Sequence, residues 1–304
     1  MAQSPADPAE ALAQMIPMAL SRQGSIGTLL LSLAAIAVRG TILPEPVARG
    51  AAQVLAGRVM AEGGRLTGPA LKAAVEQSGV LLEAGLAKSA PLGPDTKSAL
   101  LELKSALSTW LGGDPGAVAP ARKAPPPVKG TVPRVQLPET PVLPDAPRDL
   151  GRALHGHTEA ALSRLKLLQL ASLPDSGGVM RPAGPELRLE LPLMIGPELA
   201  MLQLQISRDG RRRDRAQQRG WTMRFALDSA ATGEVGAEIA LLGRAISIVL
   251  WATDPDTAKA LEADLPQLSE RVSSIGLDPG AIRLRRGAPE TAAPASGHLL
   301  ERMS

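Results

Sequence analysis

The chain has 304 residues, enough for two domains each with a core of its own, and it contains no cysteine, which excludes a disulfide framework and a thiolate zinc site. A formal charge of +3 gives no general electrostatic case for nucleic acid. One Phe, three Trp and no Tyr mean that any core is aliphatic, and many of the 28 prolines fall between Pro115 and Pro147, where they divide the apolar sequence in two. In chain order, residues 1–8 are small, polar and proline-bearing, and are expected to be disordered. Asp7 and Glu10 stand where a basic region would open a Sec signal, so none is expected. The most apolar run, Ile26 to Val38, falls short of the roughly 20 residues a membrane span needs. These readings predict a cytoplasmic protein without a membrane span.

Residues 9–113 read as a helical domain. Ile26, Leu29, Leu30, Leu33, Ala34 and Ala37 recur at helical spacing up to Gly40. Leu43-Pro44-Glu45-Pro46 opens a second segment with Val47, Ala51, Val54, Leu55 and Val59 on one face. Pro69 to Val80 predicts a shorter helix. Asp95 caps a last one, in which Leu100, Leu103, Leu107 and Trp110 form a stripe ended by Gly112-Gly113. The pattern predicts a four- or five-helix bundle.

Residues 114–147 are mainly Pro, Ala, Val and Lys and cannot bury enough surface to offset their ordering entropy, which predicts an extended, partly polyproline linker. At 3.1 Å per residue such a stretch reaches on the order of 110 Å. Residues 148–183 hold a connecting helix and loop, with Asp149 as the cap and Leu150, Leu154, Ala161, Leu165 and Leu168 aligned. The spacing leaves open whether that helix packs on the domain before it or after it.

Residues 184–287 predict a C-terminal α+β domain. Leu187, Leu189 and Leu191 alternate with charged residues, and Met201 to Ile206 is a second strand candidate. A loop between Ser207 and Gly220 carries Arg208, Arg211, Arg212, Arg213, Arg215 and Arg219. Trp221, Met223, Phe225 and Leu227 then alternate with polar residues, as do Val235, Ala237, Ile239 and Leu241, so that one face of each strand looks inward. Ala245 to Trp251 is apolar on both faces and suits a central strand. Asp254 and Pro255 open a helix whose Ala258, Leu261, Leu265, Leu268, Val272 and Ile275 share a stripe. Gly276 ends it, and Ile282 and Leu284 mark a final strand. The fold class is therefore α+β: an all-α bundle, a proline-rich linker, and a mostly antiparallel sheet with one packed helix in the order β-β-β-β-β-α-β. Residues 288–304 read as a disordered tail.

No phosphate-binding loop, nucleophile elbow or metal-binding helix motif is present. His155 and His157 fall on different faces of their helix and do not converge on a metal, and His298 lies in the tail. Glu234 and Glu238 share a strand face without an acid–base partner. No catalytic residue, metal or cofactor is assigned, and no enzyme is expected. The arginine cluster admits three readings: a solvated loop, a contact for an acidic protein, and a nucleic-acid site. It lacks aromatic residues to stack on bases, and Asp209 and Asp214 dilute it, which disfavours the third.

The run Thr232-Gly233-Glu234-Val235-Gly236-Ala237-Glu238-Ile239, then Ile246-Ser247-Ile248-Val249-Leu250, then Leu261 with Leu265 and Leu268, then Gly276-Leu277, resembles the C-terminal domain of the flagellar hook-length control family. Thr232 stands where that family usually has Leu. Leu43-Pro44-Glu45-Pro46-Val47 and Ser78-Gly79-Val80-Leu81-Leu82-Glu83 are similar to the N-terminal helical region of a proteobacterial subgroup of it. The resemblance implies a non-enzymatic flagellar assembly protein exported by the type III apparatus. Its C-terminal domain would contact the export-gate component and switch export from hook to filament subunits, with hook or hook-cap proteins as further partners. A monomer without cofactors is expected. Candidate contact residues are Arg208, Arg211, Arg212, Arg213 and Arg215 in the loop, and Gly233, Glu234, Val235 and Gly236 in the turn. The alternative of another class is a cytoplasmic regulatory or nucleic-acid-binding module that uses the arginine loop.

Overall fold

The computed structural model describes residues 8–61, 65–82, 95–113, 125–127, 131–135, 137–173, 186–208 and 220–287. The expectations for residues 1–7, the loop after the connecting helix, Arg211, Arg212, Arg213, Arg215 and Arg219, and the 288–304 tail lie outside the described residues. Six of the described helices precede the large strands: α1 (Pro8–Arg22), α2 (Ile26–Arg39), α3 (Glu45–Ala56), α4 (Gly68–Glu76), α5 (Thr96–Trp110) and α6 (Pro147–Ser172). Their starts follow local chemistry. Ser25 Oγ accepts the Gly27 amide at 3.0 Å, and Asp95 Oδ1 accepts the amides of Lys97 and Ser98 at 2.8 and 3.2 Å.

Two expectations about helix limits are corrected. Asp149 does not cap α6: Pro147, pre-set in φ, occupies the first helical position, and Asp149 sits in the first turn, accepting from Arg152 at 3.1 Å. Val59 does not continue the face of α3 but begins a short strand, β1 (Val59–Ala61), after the helix stops at Gly57.

Leu29, Leu33, Val47, Val54, Leu100, Leu103 and Leu107 form the bundle core, and Leu150, Leu154 and Ala161 of α6 complete it. A Cβ on Gly50 would stand 3.0 Å from Leu103 Cα, so its absence is what lets α3 and α5 approach so closely. Further along α6, Leu165 and Leu168 leave this cluster and join a second one with Leu189, Leu191, Leu202 and Leu204. The connecting helix therefore belongs to both cores.

The sheet runs in sequence order through β1, β2 (Glu186–Ile195), β3 (Glu198–Arg208), β4 (Gly220–Ser229), β5 (Gly233–Leu242), β6 (Ala245–Ala252) and β7 (Asp278–Arg286). β2 to β6 are antiparallel neighbours, while β1 pairs with β2 and β7 with β6 in parallel. A parallel return needs a crossover, supplied by α7 (Pro255–Ser274). The register places Leu189, Leu204, Phe225, Ala237, Leu250 and Leu284 side by side on one apolar face. α6 covers its β2–β3 end, and Leu268 and Val272 of α7 pack against Ile246, Ile248 and Ile282 at the other. Ile275 falls outside the expected stripe: it follows the last helical residue and is 72 % exposed. The order β-β-β-β-β-α-β is present, preceded by β1 from the helical region.

The opposite face of β2 and β3 is polar yet buried, with Glu186, Arg188, Glu190, Gln203 and Gln205 all covered. Arg188 pairs with Glu186, and Arg164 of α6 pairs with Glu190. Described residues of the proline-rich stretch up to Ala146 form no helix or strand. The stretch leaves from α5 and returns to α6, and those two helices pack on each other. Its Leu143 is buried in the bundle core. At the edge of β2, Ser172 Oγ at the end of α6 accepts the Arg188 amide at 2.9 Å. The outer edge of β7 instead displays exposed Arg283, Arg285 and Arg286, the kind of charged edge that discourages strand pairing. Among the described residues no single helix is long and apolar enough to cross a membrane. Met15–Arg22 and Ile26–Arg39 pass that test only as a pair bent by 44°.

Because α6 serves both cores, Leu103→Ala in the bundle is expected to cost about 2–5 kcal/mol and to shift both halves together. In a Trp110→Phe background, helix ellipticity and the fluorescence of the sheet tryptophans should share one urea midpoint before and after the substitution; separate midpoints would show two independent units. The histidines make a second test. His155 faces Ser108 of α5 at 3.2 Å and His157 faces Ser32 of α2 at 2.9 Å, and burial holds both imidazoles below the ordinary value of 6.5. The unfolded chain therefore protonates first, so their contribution is complete above about pH 6.5 and is lost as pH falls through that value toward the depressed folded ones. Between pH 7 and 5.5 the melting temperature should fall, and the His155→Gln/His157→Gln variant should fall less; equal slopes would show that other groups are responsible.

Candidate partner-binding site

At one end of the sheet the chain turns from β4 to β5 through residues 230–232 into Gly233, whose φ of 62° requires glycine. Ser229 Oγ and Thr232 Oγ1 are 2.8 Å apart, and Glu198 Oε1 accepts the Ala230 amide at 2.7 Å. The turn is also tied to the start of α7. Thr257 Oγ1 donates to the Thr232 carbonyl at 3.0 Å, and the Thr253 amide donates to the Glu234 carbonyl at 3.0 Å. Asp254 caps α7 by accepting the Thr257 amide at 2.7 Å, and this bond holds its carboxyl below the usual range. Asp228 is shifted the other way, raised by burial and by the charge of Glu198.

Gly236 has a packing role that its sequence context does not announce. A Cβ there would lie 2.2 Å from the ring of Trp251, its register partner on β6. The indole occupies the space a side chain there would need and is 1 % exposed. Of the four candidate turn residues, Gly233 and Gly236 are thus committed to backbone shape and ring packing. Glu238, a carboxylate considered for chemistry, is instead ion-paired with Arg224 at 2.7 Å. Among the described residues no group of three or more His, Cys, Asp or Glu is placed to hold a metal.

Arg208 lies at the opposite end, where β3 stops and β4 begins. Its guanidinium is 5.8 Å from the ring centroid of Trp221, which is 45 % exposed rather than facing inward. The reason is position: Trp221 is the second residue of β4, and its neighbours Thr222 and Ala226 on the other face are the buried ones. Leu242 at the end of β5 and Ile275 beyond α7 are also exposed. The Asp278 amide donates to the Arg244 carbonyl at 2.8 Å, drawing the α7–β7 connection against the β5–β6 turn, while Leu242 lies on the sheet face opposite Trp221, whose register partner is Leu241. This end therefore carries Arg208 beside the exposed Trp221 on one face of the sheet, Leu242 on the other, and Ile275 and Arg244 at the adjoining connections. β4 has 10 residues, so the two ends are separated by roughly 30 Å. Arg208 and the Gly233–Gly236 turn cannot form one compact site. The exposure of Trp221, and the pairing of Gly236 with Trp251, depend on strand register and carry no signal in the linear sequence.

Residues 209–293 match the family model described as flagellar hook-length control protein FliK. No curated protein and no solved structure matches the chain.

Gly236→Ala is expected to destabilise the protein by about 1–3 kcal/mol through overpacking against Trp251. Glu262→Ala, on the exposed side of α7, should stay within about 0.5 kcal/mol. Urea melts of the two variants decide the matter: a neutral Gly236→Ala would mean that the indole can leave the strand at no cost.

Proposed function

From the premise that the C-terminal region carries a flagellar hook-length control domain, we propose that the protein ends hook growth by switching the flagellar type III export apparatus from hook to filament subunits. The activity is binding and timing, without bond chemistry. The protein acts as a monomer, passes through the export apparatus, and contacts the export-gate component and hook or hook-cap proteins. The family match over 209–293 is the observation that carries this reading.

The arginine end of the sheet is the contact surface we assign to the switch. Trp and Arg are the residue types that dominate protein–protein contacts, and the contact of Arg208 with Trp221 leaves a large aromatic group exposed at an end of the sheet where Leu242 and Ile275 are exposed as well. Arg211, Arg212, Arg213 and Arg215 follow Arg208 directly in the chain and extend the same charge. The turn end suits the role less well, since its glycines are engaged in folding.

A strain whose protein carries Trp221→Ala, Arg208→Ser and Arg244→Ser should make overlong hooks and few filaments at normal protein levels, because surface changes of this kind usually alter stability by under about 0.5 kcal/mol each. Electron microscopy of isolated hook structures reads the outcome. Normal hooks and filaments in the triple variant would move the contact away from this end; the same result in a strain lacking residues 186–287 would sink the switch itself.

A further inference from the structure

The proline-rich stretch is held over the sheet by groups that belong to neither hydrophobic core. Arg164 on α6 has a side chain 5 % exposed. Its Nε donates to Glu190 Oε1 at 2.8 Å, while Nη1 donates to Gln23 Oε1 at 2.8 Å and to the Pro125 carbonyl at 2.6 Å. Arg188 on β2 is paired with Glu186, and it donates through Nη2 to the Thr131 carbonyl and through Nη1 to the Thr131 hydroxyl at 3.4 Å. Each guanidinium is already neutralised by a carboxylate and donates in addition to one main-chain carbonyl of the stretch. That is the complement of a segment containing Pro125, Pro126, Pro127 and Pro133: proline has no amide donor, and extended proline-containing chain makes no internal hydrogen bonds, so its carbonyls need donors from elsewhere.

The surface beneath is polar. Glu186, Arg188, Glu190, Gln203 and Gln205 share the face, and Gln203 Nε2 and Gln205 Oε1 find no hydrogen-bond partner among the described protein atoms. Further along, the attachment changes character. Pro138 packs at Gly27 beside Met201, and Leu143 is 5 % exposed within the bundle core. Lifting Leu143 would expose apolar surface, at a cost that lifting the earlier part does not carry.

We propose that Arg164 and Arg188, with the polar face of β2 and β3, form a binding groove for extended proline-containing main chain. Its occupant here is the chain's own strap, through the described residues 125–127 and 131–135, which leaves and re-enters the groove while both hydrophobic cores stay folded. Leu143 is the fixed end of the strap. The inference rests on contacts within the chain and is independent of the function proposed above.

The absence of natural cysteine allows a direct test in the full-length protein. Single thiols are placed at Pro133→Cys, buried in the strap, at Leu143→Cys, and at Ala226→Cys, which is 0 % exposed in the sheet. Reaction with a thiol reagent is followed at low urea concentrations. The Pro133→Cys thiol should react at least about tenfold faster than the Ala226→Cys thiol and with little dependence on urea, as a local opening does, while Leu143→Cys follows Ala226→Cys. Adding Glu186→Gln and Arg188→Gln together, which removes both members of the pair, should speed the Pro133→Cys reaction by roughly another tenfold, the weight of about one charge-assisted hydrogen bond. Val132→Cys provides the same reading should Pro133→Cys fail to fold. The proposal is overturned if the strap thiol reacts with the rate and urea dependence of Ala226→Cys, if Leu143→Cys opens with the strap, or if the Gln pair leaves the strap rate unchanged.

Discussion

One helix joins the two halves of this protein, and the rest of the structure depends on how its apolar stripe is shared. α6 has 26 residues and is about 39 Å long, enough to enter two cores in succession. Leu150, Leu154 and Ala161 close the bundle, and Leu165 and Leu168 cover the first strands of the sheet. Arg164 sits at the hand-over and is buried with Glu190 and Gln23. A buried pair of this kind contributes little net stability but is costly to break one-sidedly, so it favours this docking over alternatives. β1, contributed by the helical region, adds a second tie by pairing with the far end of β2.

That arrangement makes the sheet asymmetric. The β2 side is enclosed by α6, β1 and the proline-rich stretch, and even its polar face is buried. The β7 side ends in an exposed strand bearing arginines. The family match begins after β3 and covers β4 to β7 with α7. The part of the sheet that is similar to a known domain is therefore the part farthest from the bundle, and it carries the exposed Trp221 end. β2 and β3 lie outside the match and fasten that domain to the remainder of the chain.

The proline-rich stretch takes on a different character once both of its ends are located. Composition alone describes a spacer between two bodies, with a reach on the order of 110 Å. In the folded chain the stretch starts and finishes on the same helix pair, and its carbonyls are received by Arg164 and Arg188. Low hydrophobicity means that such a segment cannot order itself; it does not prevent ordering by donors that the rest of the protein supplies.

Much of the local structure was written in the sequence, because periodicity, caps and turn residues are short-range signals. The stripes of α2, α5 and α7, the caps at Asp95 and Asp254, the alternation in β2 to β5 and the crossover before β7 all follow from neighbouring side chains, and so does the α+β class. The start of α6 at Pro147 and the switch of Val59 into a strand were missed, because proline geometry and a tertiary pairing outweighed an acidic cap and an apolar spacing. What only the tertiary structure decided concerns partners distant in the chain: α6 in both cores, charged residues of β2 buried under a strap, Gly236 beneath Trp251, and Arg208 and the Gly233 turn at opposite ends of β4. Each of these depends on strand register and helix docking, which are set by the simultaneous burial of many side chains and leave no mark at any single position.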